Sequence, residues 1–199
     1  MSENRPMSLR FPIALVLSII CLAAPAWADY EAGLGAYERG DYATALREWR
    51  PLAELGLAAA QFNLGLLYAN GQSVPHDDVQ ARQWYEKAAN QGDALAQFNL
   101  GVLYGNGKGV PEDYQLALYW FRLSANQGNA MAQTKLGLMY ERGNGVPQDV
   151  VLAHKWYILG AASGDKLGAE HRDALAKQMT PAQIFQAQQR AREWTPKGQ

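Results

Sequence analysis

The stretch AQFNLGVLYGNGKGVPEDYQLALYWFRLSANQG, residues 96–128, decides the fold. At its centre Gly105, Gly107 and Gly109 alternate with Asn106 and Lys108, a spacing open to two readings: a loop that cradles a phosphate, or a bend. A phosphate loop of the strand–loop–helix kind needs a strand before it. Here Ala96, Leu100, Gly101 and Tyr104 recur at i, i+4, i+5 and i+8, one face of a helix, and Ala117, Trp120, Phe121 and Ala125 do the same after the loop. Asp113 is placed to cap the second helix through its carboxylate, and Gly128 to end it in the left-handed conformation. The three glycines are then expected to supply positive φ to a tight turn, with Val110 and Pro111 beneath it. The stretch is a helical hairpin.

Working outward, the same pattern recurs on both sides without gaps. Copies begin at Ala60, Ala96 and Ala132, a period of 36 residues. In register stand Leu64/Leu100/Leu136, Gly65/Gly101/Gly137, Tyr68/Tyr104/Tyr140, Pro75/Pro111/Pro147, Asp77/Asp113/Asp149, Ala81/Ala117/Ala153, Trp84/Trp120/Trp156 and Gly92/Gly128/Gly164. Gly101 and Ala117 are small where large residues are expected, which lets the paired helices approach, and the repeated tryptophans fill seams between helices. The turn does not keep its chemistry: Arg142 and Asn144 replace Asn106 and Lys108 in the third copy.

This pattern, A-x-x-x-LG-x-x-Y followed by G-x-GV-P-x-D, A-x-x-W and A-x-x-G, resembles the Sel1-like repeat, a relative of the tetratricopeptide repeat. The resemblance implies an all-α, right-handed solenoid of αα-hairpins with a C-terminal capping helix, its concave side lined mainly by first helices. It implies an adaptor for protein complexes, in bacteria often at the cell envelope, with family members that regulate exopolysaccharide synthesis or sensor kinases. Disulfide-rich relatives are described as β-lactam binders or hydrolases, which does not carry over because their paired cysteines are missing here.

The units expected are a degenerate cap over 29–57, repeats over 58–93, 94–129 and 130–165, and a C-terminal capping region over 166–199. In the first cap Ala45, Trp49 and Gly56 echo Ala81, Tyr85 and Gly92, with a shorter turn at Gly40-Asp41. In the last, Arg172 and Asp173 stand where leucine and glycine would fall, as a solenoid end that faces water requires. Thr180, Pro181 and Gln183 then start a final helix over about 181–194, with Ile184, Ala187, Ala191 and Trp194 as its apolar stripe.

Residues 1–28 read as a cleavable leader: Arg5 and Arg10, an apolar run from about Phe11 to Ala24, then Ala26-Trp27-Ala28. The run is shorter than the ~20 residues of a membrane span. Ile20 before Cys21 argues against a lipid anchor. A periplasmic or secreted product beginning at Asp29 is expected. Cleavage removes Cys21, the one cysteine, so disulfides and thiolate metal sites are excluded from the mature chain. It also removes Glu3, Arg5 and Arg10, leaving 16 basic and 18 acidic residues of 18 and 19. That balance gives no basic surface for nucleic acid, and no stretch of the mature chain is apolar enough to span a membrane.

No set of acid, base and nucleophile converges in sequence. His76, His154 and His171 belong to no spaced ligand motif, and Asp77 of His76-Asp77-Asp78 already has a capping role. The chain therefore reads as non-catalytic, without cofactor or metal, and as a partner for another protein or peptide; an envelope hydrolase or glycan-binding protein is the alternative. By analogy with the tetratricopeptide repeat, the concave positions are Phe62, Phe98 and Thr134, then Leu66, Val102 and Leu138, with Ala69, Gly105 and Glu141 one step on. This ladder has two readings, an open binding groove or buried core.

Overall fold

The computed structural model describes residues 29–196, so the leader lies outside the described residues. The chain there is all helical and runs as consecutive hairpins. The first is α1 (29–38) with α2 (Tyr42–Glu54). Three regular hairpins follow: α3 (Ala58–Asn70) with α4 (Asp78–Asn90), α5 (Ala94–Asn106) with α6 (Tyr114–Asn126), and α7 (Ala130–Arg142) with α8 (Val150–Ala162). Then come α9 (Lys166–Ala176) and α10 (Pro181–Arg192).

Each regular hairpin is punctuated by the same side chains. Asp77, Asp113 and Asp149 each accept two backbone N–H groups of the following first turn, all at 2.9 Å. Asp93, Asn129 and Asp165 cap the first helices in the same way, a role the sequence reading passed over. In the turn, Gly107 and Gly109 take φ of +63° and +66°. Gly105 does not: it lies in the last turn of α5, so the expectation of a third turn glycine is corrected. Gly109 also lies so close to the preceding hairpin that a Cβ there would stand 2.7 Å from the Asp78 carbonyl.

The hairpin seam is a glycine against a ring. A Cβ on Gly65, Gly101 or Gly137 would fall 2.6, 2.6 and 2.4 Å from the rings of Tyr85, Phe121 and Tyr157 respectively. Gly33 faces Trp49 in the same manner, which makes 29–54 a worn version of the unit. The repeated tryptophans serve a different seam. Trp84 packs on the first hairpin's core, Trp120 on the second's and Trp156 on the third's, each reaching back across the junction between units.

Those junctions also carry a polar ladder. Gln61, Gln97 and Gln133, all buried, donate to the carbonyls of Ala53, Ala89 and Ala125 at the end of the preceding second helix. Gln91 and Gln127 in turn donate to Gln61 and Gln97, at 2.7 and 2.8 Å. Each of those carbonyls also accepts the N–H of the glycine that ends its helix, Gly56, Gly92 or Gly128, so the glutamine is a second donor by which each unit fastens onto the helix end of the one before it.

The C-terminal end breaks the pattern. Thr180 and Gln183 form the reciprocal cap foreseen in sequence, and Ala187 and Ala191 are buried. The helix stops at Arg192, and Trp194 just beyond it meets Trp156 edge-on at 6.1 Å. α10 packs on α8 and barely touches α9.

Candidate functional site

The ladder residues lie along the first helices, where the helix period sets them on the side that meets the next unit. Phe62 rests on Tyr85 with ring centres 5.9 Å apart, and Phe98 on Phe121 at 5.8 Å. Both phenylalanines, with Leu66, Val102 and Leu138, are half-buried and touch the core of their own or the following hairpin. The ladder is therefore neither a bare strip nor closed core.

Its third rung is different. Thr134 is 1 % exposed, lies beneath Gly160 and Gly168, and its hydroxyl has no hydrogen-bond partner. No partner can reach it in this arrangement, because α9 covers the position. Glu141 accepts a hydrogen bond from the Tyr157 hydroxyl. Burial first, and that carboxylate second, hold the Tyr157 phenol well above its usual range; burial does the same to Tyr85. Neither phenol is available as a base near neutral pH.

Where the α5/α6 hairpin meets α7, the ladder opens into a cleft of about 160 Å³. Its floor is Gly101, Val102, Ala117, Phe121, Leu138 and Met139. Its rim is Gly105, Asn106, Tyr114, Lys135, Arg142 and Asn144. Gly105 matters here as an absent side chain: Ala69 and Glu141 occupy the same register in the neighbouring hairpins. Lys135 was not singled out by sequence reasoning, and Arg142 only as a change in the turn. Their signal was present as a departure from register, since Asn99 and Asn106 hold those positions one unit earlier.

A second cavity lies over α8, in the wedge between α9 and α10, lined by His154, Ile158, Arg172, Asp173, Ile184 and Gln188 among others. His154 is 3 % exposed and neither ring nitrogen makes a hydrogen bond. Burial first, and the neighbouring Arg172 charge second, hold its pKa below the usual imidazole value. His76 lies in the turn between α3 and α4, 3.3 Å from Asp78, and His171 stacks on Tyr157 at 5.2 Å, so each histidine has its own surroundings. Among the described residues no three His, Cys, Asp or Glu side chains converge as a metal-binding group. Among the same residues no helix is long and apolar enough to cross a membrane.

Comparison with known proteins meets this geometry. The model of the Sel1 repeat matches three segments, residues 58–93, 94–129 and 130–165. Among solved structures, a protective antigen of uropathogenic Escherichia coli strains, described as displaying an SLR fold, superposes with a TM-score of 0.73 at 36 % identity. The match covers 81 % of this chain but only 36 % of that one, so the chain spans about a third of the antigen's length. A Sel1 repeat protein from Oxalobacter formigenes superposes with a TM-score of 0.71 at 32 % identity, covering 83 % of this chain and 73 % of its own. No curated protein matches.

Proposed function

This chain belongs to the Sel1 repeat family, and on that footing we propose that it is an exported adaptor that holds another protein or peptide on its concave side, without catalysis of its own. Regulation of an envelope complex, a sensor kinase or exopolysaccharide synthesis is the setting that fits such an adaptor. The observation that carries the reading is the half-buried ladder: Phe62, Leu66, Phe98, Val102 and Leu138 present apolar surface along successive hairpins and end in an open cleft. Apolar strips that a fold leaves partly uncovered are the usual anchors of a partner.

The test is crosslinking with mass spectrometry in the native cell, applied to the envelope fraction. The mature chain is expected to begin at Asp29 and to carry crosslinks from the first helices to one protein. Phe62→Ala with Phe98→Ala is expected to remove those crosslinks while the helical circular dichroism survives, since anchor residues cost ~2 kcal/mol or more of binding. Crosslinks that persist unchanged in the double variant, or a chain that keeps its leader in the cytoplasm, would overturn the reading.

A further inference from the structure

We propose that the cleft between α5, α6 and α7 takes an acidic segment of the partner, one carboxylate bridging Lys135 and Arg142 while the adjoining apolar side chain lies on Val102 and Leu138. This rests on the adaptor reading above and specifies the chemistry that the adaptor recognises.

Lys135 and Arg142 are seven residues apart on α7, about 10 Å along the axis at ~1.5 Å per residue, and both line the cleft. Long flexible side chains at that separation can close on one carboxylate from both sides, Arg142 through its paired N–H groups. Among the described residues neither cation takes part in an ion pair. The acids nearby are occupied. Glu141 is bound to Tyr157, and Asp113 caps α6. No acidic side chain is among those that line the cleft, so neither cation meets a carboxylate within it.

This arrangement occurs at one junction of the four. At the first the same registers hold Asn63 and Asn70, at the second Asn99 and Asn106, and at the last His171 and Gln178. Nor does the protein as a whole favour anions, for its formal net charge is −1. Gly105 adds the second half of the argument: the glutamate that stands at this register in α7, Glu141, would both fill the cleft and cancel its charge. Asn106 and Asn144 at the rim supply uncharged donors for the rest of an extended chain. The apolar floor fits an uncharged side chain next to the carboxylate, so the segment expected is one that alternates the two.

The experiment uses the mature chain and three labelled hexapeptides with blocked ends, alternating leucine with glutamate, glutamine or lysine. The glutamate peptide is expected to bind about tenfold or more tightly than the glutamine one by fluorescence anisotropy. Its affinity should fall as salt rises towards ~0.5 M, because exposed charges are screened. Methyl resonances of Val102 and Leu138 should move on binding. Lys135→Glu with Arg142→Glu should lose the glutamate peptide and gain the lysine one; Lys135→Gln with Arg142→Gln, the milder pair, should lose the preference. Equal binding of all three peptides, or a preference that survives both pairs of substitutions, overturns the proposal. So does a response confined to methyls elsewhere, or one that reports self-association. The adaptor reading fails separately: if the charge-reversed chain keeps its native crosslinks in the cell, the acidic-segment inference falls and the adaptor stands.

Discussion

In the α7/α8 hairpin Gly137 lies under the ring of Tyr157; one period on, in α9, the same register holds Asp173. The two helices begin alike, for Asp165 caps α9 as Asn129 caps α7, and Gly168 closes on Thr134. Where the seat is glycine, a ring from the second helix drops onto the first and a hairpin forms. Where it is aspartate, a charged side chain occupies the seat. α10 then leaves α9, settles on α8 through Ala187, Ala191 and Trp194, and opens the wedge above His154. The difference shows that the seat goes together with the hairpin: where Gly137 gives way to Asp173, Leu136 gives way to Arg172 and Gln133 to Ala169, and the repeat becomes a cap.

The most severe way to break this contrast is to fill a seat. Gly101→Leu places a branched side chain where even a Cβ would stand 2.6 Å from Phe121. Overpacking of this kind costs ~1–3 kcal/mol and here is expected at or above the upper end. Thermal unfolding should show the loss, and Phe121→Ala in the same chain should restore part of it. An unchanged melting curve would mean that the ring does not depend on the glycine.

A smaller effect is expected from Gln97→Leu, which keeps the volume but removes the donor to the Ala89 carbonyl and the acceptor for Gln127. The Ala89 carbonyl keeps the Gly92 N–H, so the loss is that of the two glutamine bonds, ~0.5–1.5 kcal/mol each. Denaturant unfolding is the measurement, and equal stability of variant and parent would show that water replaces the glutamine without cost.

The smallest effect sharpens the comparison from the other side. His154 has no partner, and Leu118 holds its register in α6. Because burial and Arg172 lower the folded pKa, the unfolded chain takes up the proton first. The stabilisation is therefore whole above the usual imidazole pKa of ~6.5 and is lost as pH falls below it towards the folded value. Asp173 and Arg172 on α9, and Lys155 on α8 itself, are the charges around this end of the array. His154→Leu is expected to flatten the slope of melting temperature between about pH 7 and 5, with a gain of ~1 kcal/mol at the acid end. A slope that remains would assign it to other groups.

Much of this was legible in the residues alone. The period of 36, the aspartate caps at Asp77, Asp113 and Asp149, the small residue at Gly101 and the reciprocal cap at Thr180 each follow from local rules of helix start, stop and packing. Local rules failed where a side chain acts across units. Gln61, Gln97 and Gln133 sit beside Ala60, Ala96 and Ala132 in the quoted pattern, yet their targets are carbonyls eight residues back on another helix. Gly105 looked like part of the turn because its spacing to Gly107 and Gly109 is regular, but the helix runs one residue past it. For the candidate site, the ladder could be named from register, but its exposure depends on how far each hairpin is covered by the next. The closure of Thr134 beneath α9 has no signature at position 134 itself.

The glutamine ladder bears on how a chain of this kind acquires its length. Each internal unit brings a side-chain donor to its predecessor's helix end and leaves a carbonyl for its successor, so a duplicated copy spliced between existing ones inherits a complete set of connectors. The register that follows Gln133 is Ala169, which has nothing to donate. A copy appended beyond that residue would find no matching terminus to build on. Gene duplication could therefore lengthen this protein from its interior while its two ends stayed as they are.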